Sequence, residues 1–342
     1  QNYLNQTSLK YKLDTGDNVR TQQTLRSQDF SQILEYAQGY ELIAIDEAQQ
    51  IPSIGMGLKI IVDQMPNIKV IATGSSSFDL SHQVGEPLTG RKTTVTLFPI
   101  SQLELLEVYN KHELKEKLAE FLIFGSYPEV LTAKTKQEKV GILEEIVNSY
   151  LLKDVLSLEK IKGSKILLDL LKLLAFQLGS EVSLNELSRQ LGIDVKTVAR
   201  YLDLLEKSFV IVSLGGYSGN LRSEVTSKNK YFFLHNGIRN GIIAQFNGLD
   251  MRDDVGKLWE NFIVVERLKK RSYKRIYGNS YFWRTYSQQE IDLVEERDGK
   301  LFGYECKWSD RKKTTVPEEW VSSYPQADFK VLTPQNYLDF IA

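Results

Sequence analysis

Leu42-Ile43-Ala44-Ile45 is an unbroken apolar run that stops at Asp46-Glu47. A strand covered on both faces reads this way. A helix-length stretch follows around Leu58–Met65 and closes at Pro66-Asn67. A second apolar run, Lys69-Val70-Ile71-Ala72, then ends in Thr73-Gly74-Ser75-Ser76-Ser77. Strand, helix, strand is a βαβ unit, and its right-handed crossover makes the two strands parallel. Their carboxyl ends therefore share one sheet edge, where open α/β sheets bind ligands. At such an edge Asp46 can hold Mg²⁺, and Glu47 can orient or deprotonate an attacking water. The hydroxyls of Thr73, Ser75 and Ser76 suit the sensing of a γ-phosphate. The plain alternative is that Asp46-Glu47 only ends a strand and caps a helix.

Outward from this unit, 342 residues predict two to three domains. The chain is 42% hydrophobic and 25% charged, which excludes wholesale disorder. Forty-three basic against 44 acidic residues leave a net charge of −1, so a uniformly basic nucleic-acid coat is excluded while local patches are not. The single Cys306 excludes an internal disulfide framework, and His82, His112 and His235 are too scattered for a Cys/His zinc cluster. With no long apolar run, a soluble, cytoplasmic protein without a membrane partner is expected.

A phosphate-cradling loop needs G-x-x-x-x-G-K-[ST] between a strand and a helix. The nearest string, Gly85-Glu86-Pro87-Leu88-Thr89-Gly90-Arg91-Lys92-Thr93, has Arg91 where lysine belongs and Lys92 where the hydroxyl belongs. Thr93–Phe98 after it reads as a strand, not a helix. These residues carry the means of hydrolysis without the means of phosphate binding, and weak ATP binding is expected of them alone. Because the chain opens on Gln1, the expected source of the missing loop is an upstream segment.

Glu41-Leu42-Ile43-Ala44-Ile45-Asp46-Glu47-Ala48-Gln49 resembles the Walker B stretch of the bacterial and archaeal AAA+-type ATPases that carry a C-terminal domain of unknown function. Thr73-Gly74-Ser75 resembles their sensor, followed in order by Leu88-Thr89-Gly90-Arg91 and Phe124-Gly125-Ser126-Tyr127-Pro128-Glu129. Tyr150-Leu151-Leu152-Lys153-Asp154-Val155, Tyr231-Phe232-Phe233 and Gly256-Lys257-Leu258-Trp259-Glu260-Asn261 complete the series. The resemblance implies ATP and Mg²⁺ as cofactors, Asp46 as the magnesium carboxylate and Glu47 as the base. Thr73, Ser75 and Arg91 would contact the nucleotide, Arg91 as an arginine finger or sensor; a plain surface charge is the alternative for Arg91. The family's Walker A motif would lie upstream, and His235 stands where an aspartate is usual.

Residues 184–191 and 195–207 read as a helix-turn-helix about Gly192-Ile193-Asp194, with Phe209–Val212 as a wing strand. Lys196, Thr197, Arg200 and Tyr201 on the second helix could enter a major groove. A protein-contact role is the alternative, given Asp194, Asp203 and Glu206 alongside.

Near the C-terminus, two strand-like runs flank Asp298-Gly299, a strong hairpin signal. With that tip, paired positions sum to 597, so Asp292 faces Glu305 and Glu290 faces Lys307, all on one face. Ile291, Leu293, Tyr304 and Cys306 fall on the other, as core. Opposed carboxylates ~5 Å apart call for a cation between them. Mg²⁺ would serve, with Lys307 beside it and Glu260 on the preceding helix as a further ligand. The pattern resembles the PD-(D/E)XK nuclease core, with Asp292, Glu305 and Lys307 as its site. Basic residues at 267–275 and Arg311-Lys312-Lys313 would supply positive charge for DNA. A solvated surface ion pair is the alternative.

The expected fold is α/β. A partial P-loop, AAA+-like parallel-sheet domain (1–110) precedes a helical segment (111–180), a winged helix-turn-helix (181–220) and a restriction-endonuclease-like α+β domain (221–342). Three functions stay open: an ATPase acting on or near DNA, a metal-dependent nuclease, and a non-catalytic DNA- or protein-binding module. A protein partner or a second copy of the chain is compatible with each.

Overall fold

A computed structural model describes residues 2–74, 88–148, 164–219, 228–309 and 315–342. The chain divides into two compact units, residues 1–96 with 207–209, and residues 97–206 with 210–342.

The first unit is built on a three-stranded parallel sheet of β1 (Tyr11–Thr15), β2 (Leu42–Asp46) and β3 (Lys69–Ala72), in that order. The predicted βαβ unit is present, with the helix at Ile54–Gln64. Ile43 and Ile45 on β2 pack with Leu25, Ile33, Leu58 and Ile61 from the helices, in a core sealed from water. The strand β1 and the helices Val19–Arg26 and Phe30–Ala37 arise from a stretch with little apolar pattern. Their starts are set by Asn18 and Asp29, whose side chains accept from Arg20 N and Gln32 N. The expected strand at Thr93–Phe98 does not form; that stretch is irregular.

The second unit carries a seven-stranded mixed sheet. Its strands are β4 (Glu181–Val182), β5 (Ile211–Gly216), β6 (Asn229–Phe233), β7 (Asn279–Arg284), β8 (Glu290–Arg297), β9 (Lys300–Cys306) and β10 (Asp328–Leu332). They lie in the order β10-β9-β8-β7-β5-β6-β4, so positions 181–220 and 221–342 share one sheet. The two helices of the predicted helix-turn-helix span Leu184–Leu191 and Val195–Lys207. Gly192 closes the first in a left-handed turn, and Asp194 caps the second by accepting from Thr197 N at 2.9 Å. The 20-residue helix Val255–Lys274 lies against the sheet through Trp259 and Ile263, with Trp259 Nε1 donating to Leu332 O at 3.3 Å.

Among the described residues, no helix is long and apolar enough to cross a membrane.

Candidate functional site

Two sites follow from the sequence, one in each unit. In the first, the parallel register brings Thr15 beside Asp46, and Thr73 N donates to Ile45 O at 2.9 Å. Three strand ends therefore meet at one edge. The Thr73 hydroxyl hydrogen-bonds Asp46 Oδ1 directly, and Asp46 is otherwise exposed. Glu47 follows in the left-handed backbone region (φ 49°), which turns its side chain sharply from the strand. Its Oε2 accepts from Gln49 Nε2 at 2.6 Å. Gly16 lies so close that a Cβ there would come within 2.0 Å of Glu47 O, so only glycine lets β1 end against this turn. Asp46, Glu47 and Thr73 are thus brought together. Ser75, Ser76 and the first three residues of the Gly85–Thr93 string lie outside the described residues. Arg91 is half-exposed and ion-paired with Asp63 rather than with any of these groups.

The second site centres on β8 and β9. The hairpin register is the one expected, from Leu293↔Tyr304 to Arg297↔Lys300. At its tip Asp298 and Gly299 both have positive φ (51° and 72°), as a primed turn requires. Beyond Leu293 the regular pairing ends, and Asp292 Oδ2 accepts from Cys306 N at 2.8 Å. Lys307 Nζ donates to Glu305 Oε1 at 2.6 Å. Glu305 Oε2 is buried with no hydrogen-bond partner.

Three expectations need correction here. Glu290 does not face Lys307: it pairs in register with Arg284 and forms ion pairs with Lys230 and Arg284. A register shift between β7 and β8 also breaks the alternation, so Ile291 packs with Trp283, Val294 and Trp320. Leu293, Tyr304 and Cys306 join the separate cluster around Trp259. Finally, most of the basic run at 267–275 is consumed inside the protein. Arg267 makes a two-pronged pair with buried Glu295 (2.7 and 2.8 Å), Lys269 pairs with Glu266, and Lys270 donates to the carbonyls of Phe340 and Ala342. Only Lys274 and Arg275 of that run stand exposed. Arg311, Lys312 and Lys313 lie outside the described residues.

The charge balance of the second site turns on a residue that sequence reasoning passed over. Lys230 on β6 is 1% exposed, and its ammonium lies 3.2 Å from Glu260 Oε1 and bonds Glu290. Burial alone would lower its pKa, but Glu260, Glu290 and Asp292 outweigh that and hold it above the ordinary lysine range. The pKa values of three neighbouring acids rise as well, which for a carboxyl favours the neutral form. Burial, then the Asp292 charge, pushes Glu260 up to about 8 and Glu305 up to about 7. Asp292 is raised by burial despite Lys230 and Lys307. Burial and the same acids push the Cys306 thiol well up, as for a buried filler rather than a nucleophile. Behind Glu260, Gly179 (φ +68°) leaves room that a Cβ would close to 2.6 Å from Oε2. Among the described residues, no three His, Cys, Asp or Glu side chains stand where they could together hold a metal ion. The ion pairs explain this: Glu260 and Glu290 turn to Lys230, and Glu305 turns to Lys307.

The helix-turn-helix leaves Lys196 and Arg200 exposed, whereas Tyr201 is buried in the core and cannot read a groove. Thr197 is engaged by Asp194 at 2.5 Å. His235 and the Phe124–Glu129 and Gly256–Asn261 stretches meet in a buried polar lattice. His235 Nε2 accepts from Ser126 N and Tyr127 N (2.7 and 3.2 Å), and Asn261 bonds both Phe233 and Asn236. These motifs are held by packing and hydrogen bonding in the core.

Residues 1–106 match the AAA domain family. Residues 115–249 match a domain of unknown function, DUF8612, and residues 255–336 match another, DUF4143. An uncharacterized protein of Mycobacterium tuberculosis is 27% identical over 270 residues, which are 78% of this chain and 58% of that protein. One from Haemophilus influenzae is 27% identical over 291 residues, covering 80% of this chain and 68% of that protein. One from Methanocaldococcus jannaschii is 22% identical over 287 residues, covering 74% and 62%. The crystal structure of a Vibrio cholerae protein aligns over 96% of this chain and 95% of its own at 12% identity, with a TM-score of 0.19, too low to bear on the fold. The match over residues 1–106 supports an AAA-like, P-loop ATPase-like module at the N-terminal end.

Proposed function

We propose that the protein is an AAA+-type ATPase whose hydrolytic residues are Asp46 and Glu47, coupled to a DNA-associated, nuclease-like C-terminal module. The observation that carries this reading is the Thr73 hydroxyl bonded to the Asp46 carboxylate at the carboxyl edge of a parallel sheet, with Glu47 beside it. The donor set suits Mg²⁺, which takes carboxylate and hydroxyl oxygens. Asp46 would hold the ion, Glu47 would accept a proton from the attacking water, and Thr73 with Ser75 would sense the γ-phosphate. A phosphate-cradling loop has to come from outside these strands. Arg91, engaged by Asp63, would act as a finger only after leaving that pair. The test is Mg²⁺-dependent ATP hydrolysis by the protein expressed from its natural gene: loss of hydrolysis in Asp46→Ala supports the reading, and an unchanged rate sinks it.

A second reading, metal-dependent DNA cleavage at Asp292, Glu305 and Lys307, is favoured by the hairpin register and by the unpartnered, buried Glu305 Oε2. Carboxylates of Glu260, Asp292 and Glu305 are the hard donors that Mg²⁺ accepts, and their mutual repulsion calls for added positive charge. Mg²⁺ bound there would polarise a phosphoryl oxygen and acidify a water. Lys307 would hold the phosphate, and Lys196 and Arg200 would contact the DNA backbone. Supercoiled plasmid incubated with Mn²⁺ tests it: cutting lost in Asp292→Ala with Lys307→Ala supports the site, and cutting that survives shows that it lies elsewhere.

A further inference from the structure

We propose that His235 is an acid-sensitive latch: its ring clamps the turn 125–127 to the helix Asn236–Ile242, and a proton taken up by that ring opens the clamp locally.

Three backbone N–H groups converge on the two ring nitrogens. Ser126 N and Tyr127 N point at Nε2 from 2.7 and 3.2 Å, and Ile238 N points at Nδ1 from 3.2 Å. A neutral imidazole has one bare nitrogen that accepts, while the other carries hydrogen. The shortest contact assigns the bare nitrogen to Nε2, so the neutral ring satisfies Ser126 and Tyr127 and turns an N–H toward Ile238. An imidazolium has no bare nitrogen and satisfies none of the three.

The ring has nowhere else to go. A Cβ on Gly125 would lie 2.1 Å from it and one on Gly237 2.9 Å from it, so backbone closes on it tightly. The cavity beside it measures about 20 Å³, room for about one water and too little for a second ring position. No spare anion receives an added charge there. Glu266, the carboxylate lining this cavity, is engaged by Lys269 and by Gln102 N, both at 2.6 Å. Around the ring, Arg239 on the following helix is committed to Asp254 and Ala175 O, and Glu120 on the helix Leu118–Phe124 is engaged by Lys139. The Tyr127 ring, 4.2 Å away, closes the remaining side. Burial, then the Lys269 charge, accordingly holds the His235 pKa well below the ordinary histidine value.

Opening stays local because a second tie joins the same two helices: Asn240 Nδ2 bonds Leu122 O and Ile123 O at 3.2 and 2.8 Å. What is freed is Ser126, whose carbonyl accepts from Ile100 N at 3.1 Å near the start of the second unit. Acid thus slackens the first residues of that unit while its core stays packed.

Hydrogen–deuterium exchange of the intact protein, read by mass spectrometry and corrected for the intrinsic pH dependence of exchange, tests the latch at about pH 7.5 and about pH 5.5, either side of the ordinary histidine value. Each opening returns His235 to a pKa of roughly 6.5, so protection over residues 124–128 should fall about tenfold between the two conditions. Peptides over the helix Val195–Lys207 should not follow. His235→Asp offers two acceptor oxygens to the same three donors and stays ionised beside Lys269, so its protection should be flat with pH. His235→Asn, neutral at both values, should also be flat and replaces the aspartate variant if that one does not fold by circular dichroism. Unchanged protection in the natural protein overturns the proposal. So does a loss that persists in the folded variants, or one shared equally by the whole second unit.

Discussion

Lys230 Nζ stands 3.2 Å from Glu260 Oε1, and both side chains are almost wholly withdrawn from water. The pair joins a strand beside the helix-turn-helix to the long helix behind the acidic hairpin. Four acids, Glu260, Glu290, Asp292 and Glu305, gather here around Lys230, Lys307 and Arg284, so four carboxylates face three cations. Burial first, and then the charge of neighbouring acids, raises the proton affinities of Glu260, Asp292 and Glu305.

The first prediction is a pH dependence of stability. With chelator present, Glu260 titrates at about 8 and Glu305 at about 7 when folded, against roughly 4.3 in an unfolded chain. The folded state holds protons that the unfolded state has released, so this contribution to stability falls as pH rises from about 5 to 8. His235, whose pKa burial lowers, acts in the opposite sense near its ordinary value. The difference between natural protein and Glu260→Gln isolates the acid. In urea unfolding the natural protein should lose stability relative to the variant as pH rises. A difference that stays flat or reverses would falsify the assigned burial of Glu260.

The second concerns the basic run at 267–275. Arg267 grips Glu295, which is 0% exposed, with two hydrogen bonds. Glu295→Ala leaves the guanidinium buried without its anion and should cost about 3–5 kcal/mol in urea unfolding. A loss below about 1 kcal/mol, the range of an exposed pair, would return Arg267 to the surface as a DNA contact.

Some of this was legible in the sequence and some was not, for identifiable reasons. Buried parallel strands leave continuous apolar runs, so Leu42–Asp46 and Lys69–Ala72 declare themselves. Asp298-Gly299 fixes the hairpin and its register, because a two-residue turn with positive φ at both positions admits few residue types. The strand β1 was hidden because it lies at an edge: Leu13 is 48% exposed, and Lys12 and Asp14 flank it. The register shift that separates Ile291 from Leu293 has no local signature. The partners of Arg267 and Lys230 come from distant positions, so their charges read as surface until the fold brings Glu295 and Glu260 to them, whereas Lys269 pairs with Glu266 one turn earlier on its own helix. A lysine opening the apolar run Lys230-Tyr231-Phe232-Phe233 was the one available hint.

The third prediction separates DNA contact from protein contact on the second helix of the helix-turn-helix. If Lys196 and Arg200 meet phosphates, each change to alanine should weaken binding to duplex DNA uniformly across sequences. Each should also reduce the slope of log affinity against log salt by about 1. Unchanged slopes in both variants would assign this face to a protein partner.

The central claim is that Asp46 and Glu47 run nucleotide hydrolysis, and Glu47→Gln tests it most directly. The change keeps the shape and the hydrogen bond to Gln49 within reach while removing the base. In single-turnover assays with Mg²⁺-ATP, using the protein expressed from its natural gene, the variant should bind nucleotide as the natural protein does. Its hydrolysis should be slower by about 10²–10⁴-fold, the range for loss of a positioned base. Hydrolysis at the natural rate by Glu47→Gln would contradict the account.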